Sequence, residues 1–439
     1  MNGLSSSDPA GLRYRIFLFL YACIFRVLTP VVWRYFRKRA RGDADYGLHL
    51  DERKGQGAPF AADLWLHAVS LGEINSAEPL VRLALQDGHR VMTTHATPAA
   101  RRKVEQAFAD EVAAGQLAPR YLPIDRPDYW RRFFASHAPR AGLVVEMEFW
   151  PWMIEAAREA GVPLALVNAQ IPAGSWPKAR RFASLFGHPV ARMAVVFAKS
   201  EIQARRFRAL GASDVRIAGE TRFDIVPSRT QIQAGKAFAA SLQGKKVAAI
   251  ASVVEGEEEV YVRALAKLFS DPEPLFVIWV PRAPERFQAS GEFLQSVGFE
   301  IALRSQLFDN GLNLRSELGN APILVGDSLG EMTFYLASAD AVIVGGGFGS
   351  RGAHNIIEPL ALGKPVITGP SVGTIEFPAV EAEAAGMLTV CDTPEELPDA
   401  IRAAIARRSP KTVEAFHASH RGASQRIYDA IKPLLTERR

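Results

Sequence analysis

Cysteine is scarce in this chain of 439 residues: there are two, Cys23 and Cys391, far apart. A disulfide framework and a cysteine metal site are both excluded, and the usage fits a reducing compartment. The nine histidines show no ligand spacing. The only Asp-x-Asp, Asp43-Ala44-Asp45, lies in a basic stretch. No metal and no cofactor is therefore expected. There is no long Lys/Arg block and no RNA-binding motif, which argues against nucleic acid as a partner. No nucleophile elbow or Ser/His/Asp arrangement is present, which argues against a hydrolase. The Walker pattern G-x-x-x-x-G-K is absent, as is a clean G-x-G-x-x-G at the first strand of a domain. A P-loop ATPase or a simple dehydrogenase is thereby disfavoured. No internal repeat or low-complexity tract appears.

What is there is an ordinary folded composition, 48% hydrophobic and 23% charged. The length suits two or three domains. The net charge of +5 suits an anionic partner such as a membrane surface, a nucleotide or a phosphorylated lipid. One apolar run stands out, from Ile16 to Trp33, interrupted by Arg26 and Pro30. It is about long enough to span a bilayer. No small-residue cleavage site follows, so a cleaved signal peptide is not expected. Arg34, Arg37, Lys38, Arg39 and Arg41 come next. The reading is a membrane anchor, spanning or interfacial, with the body on the cytoplasmic side. A helix packed on the protein itself is the alternative.

From about residue 60, β-rich runs alternate with helical patterns. Strands are predicted at Asp63–Val69, Arg90–Thr94, Gly142–Met147, Pro163–Asn168, Met193–Ala198 and Val215–Ala218. After a polar stretch near Pro227–Gln233 they resume at Val247–Ala251, Leu275–Val280, Ile323–Val325, Ala341–Gly345 and Pro365–Thr368. Helices are predicted at Ser76–Gln86 and Ile202–Leu210. Such alternation implies α/β architecture with parallel sheets. The expected organisation is an anchor and basic segment over residues 1–45, then Rossmann-like domains over 46–230 and 231–439 facing across a cleft. The last helix is free to pack back on the first domain.

Candidate functional residues fall at strand ends, where ligands of open α/β sheets bind. Gly345 to Pro359 is a glycine-rich turn from strand to short helix. Its bare amides, including those of Gly346 and Gly347, suit an anion; a tight turn with glycines kept for packing explains the same pattern. Asn355 and Glu358, three apart, would share a helix face, and a carboxylate there can hold ribose hydroxyls. Ser70-Leu71-Gly72-Glu73 ends the first strand. Glu73 is the candidate general base, kept ionised by the helix dipole, although Ser-x-x-Glu is also a capping box. Glu146 and Glu148 would alternate along a strand onto one face. They could bind an acceptor or pair with a structural arginine. Arg282 could grip a phosphate or a carboxylate. Ser252 could cap a helix or touch ligand. Gly330-Glu331 closes a further strand end.

Taken in order, these motifs resemble the bacterial 3-deoxy-D-manno-octulosonic acid (Kdo) transferases. The resemblance runs through His67-Ala68-Val69-Ser70-Leu71-Gly72-Glu73, Thr93-Thr94 with Thr97-Pro98, and Glu146 to Pro151. It continues in Val167-Asn168-Ala169, Gly219 with Phe223-Asp224, Pro281-Arg282 with Glu285-Arg286, Gly330-Glu331 and His354-Asn355 with Glu358-Pro359. It implies a GT-B glycosyltransferase, inverting and without a catalytic metal. Kdo would move from CMP-Kdo to a lipid A precursor (lipid IVA type) at the cytoplasmic face of the inner membrane. Glu73 would be the base, with Ser70, Glu146 and Glu148 on the acceptor side. Arg222, Ser252, Arg282, Gly330, Glu331, Gly346, Gly347, His354, Asn355 and Glu358 would serve the donor. Several positions depart from the family pattern. Val254 and Ala283 stand where it has histidines, Arg222 where it has Lys, Ala353 where it has Gly, and Glu376 where it has Asn. Asn168-Ala169 is followed by Gln170 rather than Arg. The two missing donor-side histidines leave open a paralogue with another nucleotide sugar or acceptor. A non-catalytic, lipid-precursor-binding paralogue is the third reading.

Overall fold

The computed structural model describes residues 11–406 and 410–436. The parts of the expected anchor and second domain that fall on 1–10, 407–409 and 437–439 lie outside them. The described chain forms two compact units. One runs up to Ile225 and resumes at Arg421, and the other is Val226–His420.

Among the described residues the first unit holds seven strands. They are β1 (Leu64–His67), β2 (Val91–His95), β3 (Leu117–Tyr121), β4 (Ala141–Val145), β5 (Leu164–Ala169), β6 (Val195–Ala198) and β7 (Val215–Ile217). All pair in parallel, in the order β3-β2-β1-β4-β5-β6-β7. The second unit holds β8 (Lys246–Val253), β9 (Leu275–Pro281), β10 (Ile301–Leu303), β11 (Ile323–Val325), β12 (Ala341–Val344), β13 (Val366–Thr368) and β14 (Leu388–Val390). These are also parallel, in the order β10-β11-β9-β8-β12-β13-β14.

Parallel strands need both faces covered, so they read as continuous apolar runs. In β1, Trp65 joins the core on one face, while Leu64 and Leu66 join the other. In β8, Val247, Ala249 and Ala251 face one layer, and Ala248 and Ile250 the opposite one. Each fully buried Leu or Ile of this kind contributes about 1.5–3 kcal/mol.

Three strands escape the sequence reading: β3, β10 and β14. All three are sheet edges or end strands. β3 contains Pro119, which a central strand could not accommodate but an edge tolerates. The other two are three residues long. Part of the polar stretch near Pro227–Gln233 is helical: the helix Arg229–Ser241 begins there, with Ser228 accepting from the Gln231 amide.

The helix Leu12–Arg39 is long and apolar enough to cross a membrane. It lies along the first unit. Trp152 donates to the Leu18 carbonyl, Phe17 packs on Phe182 and Phe186, and the Arg53 guanidinium covers Phe36. Leu12, Ile16, Leu20, Ile24, Val27, Val31 and Tyr35 stay exposed, at the three-to-four-residue spacing of a single helical stripe. The helix Ala423–Thr436 also belongs to this unit. Ile427, Ile431 and Leu435 enter its core, and Asp224 accepts from the Gly422 and Ser424 amides.

Candidate active site

In each sheet the strand order reverses once at a switch point, between β1 and β4 in the first and between β8 and β12 in the second. Crevices for ligands form at such points, beyond the carboxyl ends. The strongest sequence candidates leave from these four strands.

In the first unit β1 runs into the helix Leu71–Gln86. Ser70 caps it by accepting from the Glu73 amide at 3.3 Å. Glu73 returns Oε2 to the amides of Val69, at 2.6 Å, and Ser70, at 3.4 Å. The capping box is therefore real, and it aims a carboxylate at the strand end. The expectation that the helix dipole keeps Glu73 ionised fails. Burial first, then the charges of Glu148 and Glu146, push its pKa up to about 8, against the pull of the two amides. Desolvation and like charge outweigh the dipole.

Glu146 and Glu148 do not alternate on a strand. β4 stops at Val145, and Glu146 takes a left-handed φ of 61°. Its carboxylate pairs with Arg222 at 2.9 Å. Arg222 also donates to the Gly72 carbonyl at 3.3 Å and to Glu220 at 3.4 Å. Arg222, expected with the donor groups, is thus a neighbour of the Glu73 turn. Glu148 accepts from the Trp150 indole, and burial raises its pKa above the usual carboxylate range.

Sequence reasoning missed the network behind this turn. Asn168, at φ 52°, donates to Thr221 Oγ1 and Ser76 Oγ, and its Oδ1 accepts from the Thr221 amide. Ser76 donates to the Glu73 carbonyl at 2.7 Å. All three residues are fully buried, so the helix carrying Glu73 is tied to the end of β5. The signal was available in the polar Asn168 closing an apolar strand.

In the second unit the glycine-rich turn leaves β12, but its amides do not stand bare. Gly346 donates to Glu257 Oε2 at 2.6 Å and Phe348 to Oε1 at 2.7 Å, and Glu257 is buried. The expected anion cradle holds a carboxylate of the chain itself. Close packing accounts for the glycines. A Cβ at Gly345 would lie 2.3 Å from the Ser252 carbonyl, and one at Gly347 2.4 Å from the Gly369 nitrogen. The following helix, Ile357–Ala361, has five residues. Asn355 caps it through the Ile357 amide and donates to Glu358 at 3.0 Å, so these two do meet.

Two cations act on His354 in this turn. The pKa of His354 is held down at about 4 by burial, then by Arg282 and Arg351. Its Nε2 is buried without a hydrogen-bond partner. Ser252 does not cap a helix. It sits in β8 at a left-handed φ of 60°, where the register to β9 shifts. Gly330 accepts from Gln231, and Glu331 is engaged by Arg304 and Ser328. Asp43 and Asp45 clamp Arg102, and among the described residues no cluster of His, Cys, Asp or Glu could hold a metal ion. A cavity of about 940 Å³ opens at the amino ends of the second sheet, lined by Lys246, Leu275 and Pro365. It is remote in kind from the switch-point groups.

Two parallel seven-stranded α/β sheets, each with polar groups gathered at its switch point, define a GT-B-like protein. Solved structures agree on the fold. The UDP-N-acetylglucosamine 2-epimerase of Neisseria meningitidis, bound to UDP-GlcNAc, has a TM-score of 0.53 at 13% identity, covering 84% of this chain and 99% of its own. HepE of Anabaena, in complex with UDP and glucose, has a TM-score of 0.55 at 16% identity over the same shares. Sequence is more specific. The family model for 3-deoxy-D-manno-octulosonic-acid transferase (kdotransferase) matches residues 45–225. The 3-deoxy-D-manno-octulosonic acid transferase of Bordetella pertussis is 37% identical over 432 residues, 95% of this chain and 99% of that protein. The Haemophilus influenzae transferase of the same name is 28% identical over 438 residues, 95% and 98% of the two chains. The chain belongs to the Kdo transferase family, glycosyltransferases of lipopolysaccharide biosynthesis.

Proposed function

We propose that this chain moves Kdo from CMP-Kdo to a lipid A precursor, with inversion and without a catalytic metal. The observation that carries the reading is Glu73: a carboxylate held by backbone amides at a switch point, with its pKa raised to about 8. A base is most effective when its pKa lies near the working pH. Glu73 takes the proton from an acceptor hydroxyl. That oxygen bonds to the anomeric carbon while the bond to the CMP phosphate oxygen breaks, and a single displacement inverts the centre. Arg222, Glu146, Glu148 and the Ser70 cap shape the acceptor side. Arg282 and His354 receive the phosphate, and Asn355 orients Glu358 toward the ribose. Ser252, Gly346 and Gly347 form the floor of that site, with Gly330 and Glu331 supporting it.

The helix Leu12–Arg39 is read as lying in the cytoplasmic interface of the inner membrane. Its contacts with the first unit run from Phe17 to Phe36 on one side, and its apolar stripe is on the other. Arg37, Lys38 and Arg39 in its last turn suit anionic headgroups. Mass spectrometry of a tetra-acylated lipid A precursor incubated with in situ generated CMP-Kdo tests the reading. Addition of Kdo, unaffected by chelator, is expected, with the product anomer read by NMR. Absence of transfer to this acceptor refutes it.

A further inference from the structure

The glycine-rich turn after β12 meets groups of both signs. Arg282 and Arg351 act on His354, whose Nε2 is buried and unpartnered. The amides of Gly346 and Phe348, the groups that would bind an anion, are closed by the Glu257 carboxylate at 2.6 and 2.7 Å. Glu257 is 1% exposed and is also bonded by the Tyr261 hydroxyl at 3.2 Å. It cannot swing out without leaving three donors behind. A Cβ at Gly349 would come within 3.6 Å of its Oε1, so the turn closes directly over the carboxylate.

We infer that Glu257 is a specificity-determining residue that makes this a site for one phosphate, selecting a nucleoside monophosphate donor against nucleoside diphosphates. The inference rests on the donor reading above and deepens it. A single phosphate has the two cations to itself. A second phosphate on the same nucleotide would need the turn amides, and those already satisfy a buried negative charge. Like charges a few ångströms apart inside a protein repel by far more than the same pair in water. Discrimination of this kind works through repulsion of the wrong ligand rather than through added attraction to the right one.

The test is calorimetric titration of CMP and of CDP into the full-length protein in detergent, for the wild type, Glu257→Gln and Glu257→Ala. Wild type is expected to bind CMP at least about tenfold more tightly than CDP. Glu257→Gln, which removes the charge, and Glu257→Ala, which empties the amides, should each narrow that ratio fivefold or more. A merely structural role for Glu257 would weaken both nucleotides together and leave the ratio unchanged, and that result overturns the inference. So does a wild type that binds CDP as well as CMP, a comparison that needs no variant to fold. If wild type binds neither nucleotide, the donor reading itself fails, and the inference falls with it.

Discussion

Replacing Glu73 by Gln should abolish transfer and yet make the protein more stable at alkaline pH. Glutamine keeps an oxygen for the Val69 amide, so the cap survives. What it removes is a carboxyl that folding makes harder to ionise, from an ordinary value of 4.5 to about 8. A carboxyl raised in this way favours the folded state fully below pH 4.5. That advantage is lost as pH rises through 8, because the folded state holds a proton the unfolded chain has released. Linkage puts the loss between pH 5 and pH 8.5 at about 4 kcal/mol. All other groups are common to both proteins, so the difference between variant and wild type isolates Glu73. Urea unfolding followed by tryptophan fluorescence at the two pH values reads it out. Stability of the variant relative to wild type should rise by about 4 kcal/mol on going to pH 8.5. A difference that stays constant would refute both the burial argument and the claim that Glu73 is a tuned base.

Glu148→Gln removes one of the two carboxylates that raise the Glu73 pKa, so the ascending limb of the pH–rate profile should move to lower pH; an unmoved limb would separate the two groups. Asn168→Ala leaves the Thr221 amide unpaired and puts alanine at φ 52°. A loss of about 2–4 kcal/mol in the first unit is expected by denaturant titration. Gly347→Ala forces a Cβ against the Gly369 backbone at 2.4 Å and should abolish CMP binding while the circular dichroism of the rest persists. Ile16→Glu with Ile24→Glu charges the exposed stripe and should release the protein from anionic vesicles in a flotation assay; retention would return the helix to a purely intramolecular role.

The strands of the two sheet centres were legible because burial on both faces leaves a continuous apolar run that no other element imitates at that length. β3 was not, since Pro119 removes a ladder donor and only the edge position, a tertiary fact, excuses it. Glu73 was legible from its spacing to Ser70. Its raised pKa was not, because the burial that chiefly sets it, and the charges of Glu148 and Glu146 that add to it, depend on the loop after β4. The misreading of those two as an alternating pair came from running β4 two residues too far. The glycine turn misled for the same reason. Its amides were visible in sequence, but the carboxylate that occupies them departs from β8, about ninety residues upstream. Contacts within one turn can be read from spacing, whereas the electrostatics of a switch point depend on which strands the topology makes neighbours.

The return of Ala423–Thr436 to the first unit has a consequence for synthesis. The second unit is one uninterrupted stretch, Val226–His420, and the first is split around it. A ribosome therefore releases everything the second sheet needs while the first still lacks the helix that supplies Ile427, Ile431 and Leu435 to its interior. The unit translated first is the one finished last. Until the final residues emerge, an apolar face of the helix Leu71–Gln86 waits uncovered, which is the state in which nascent chains recruit chaperones or aggregate.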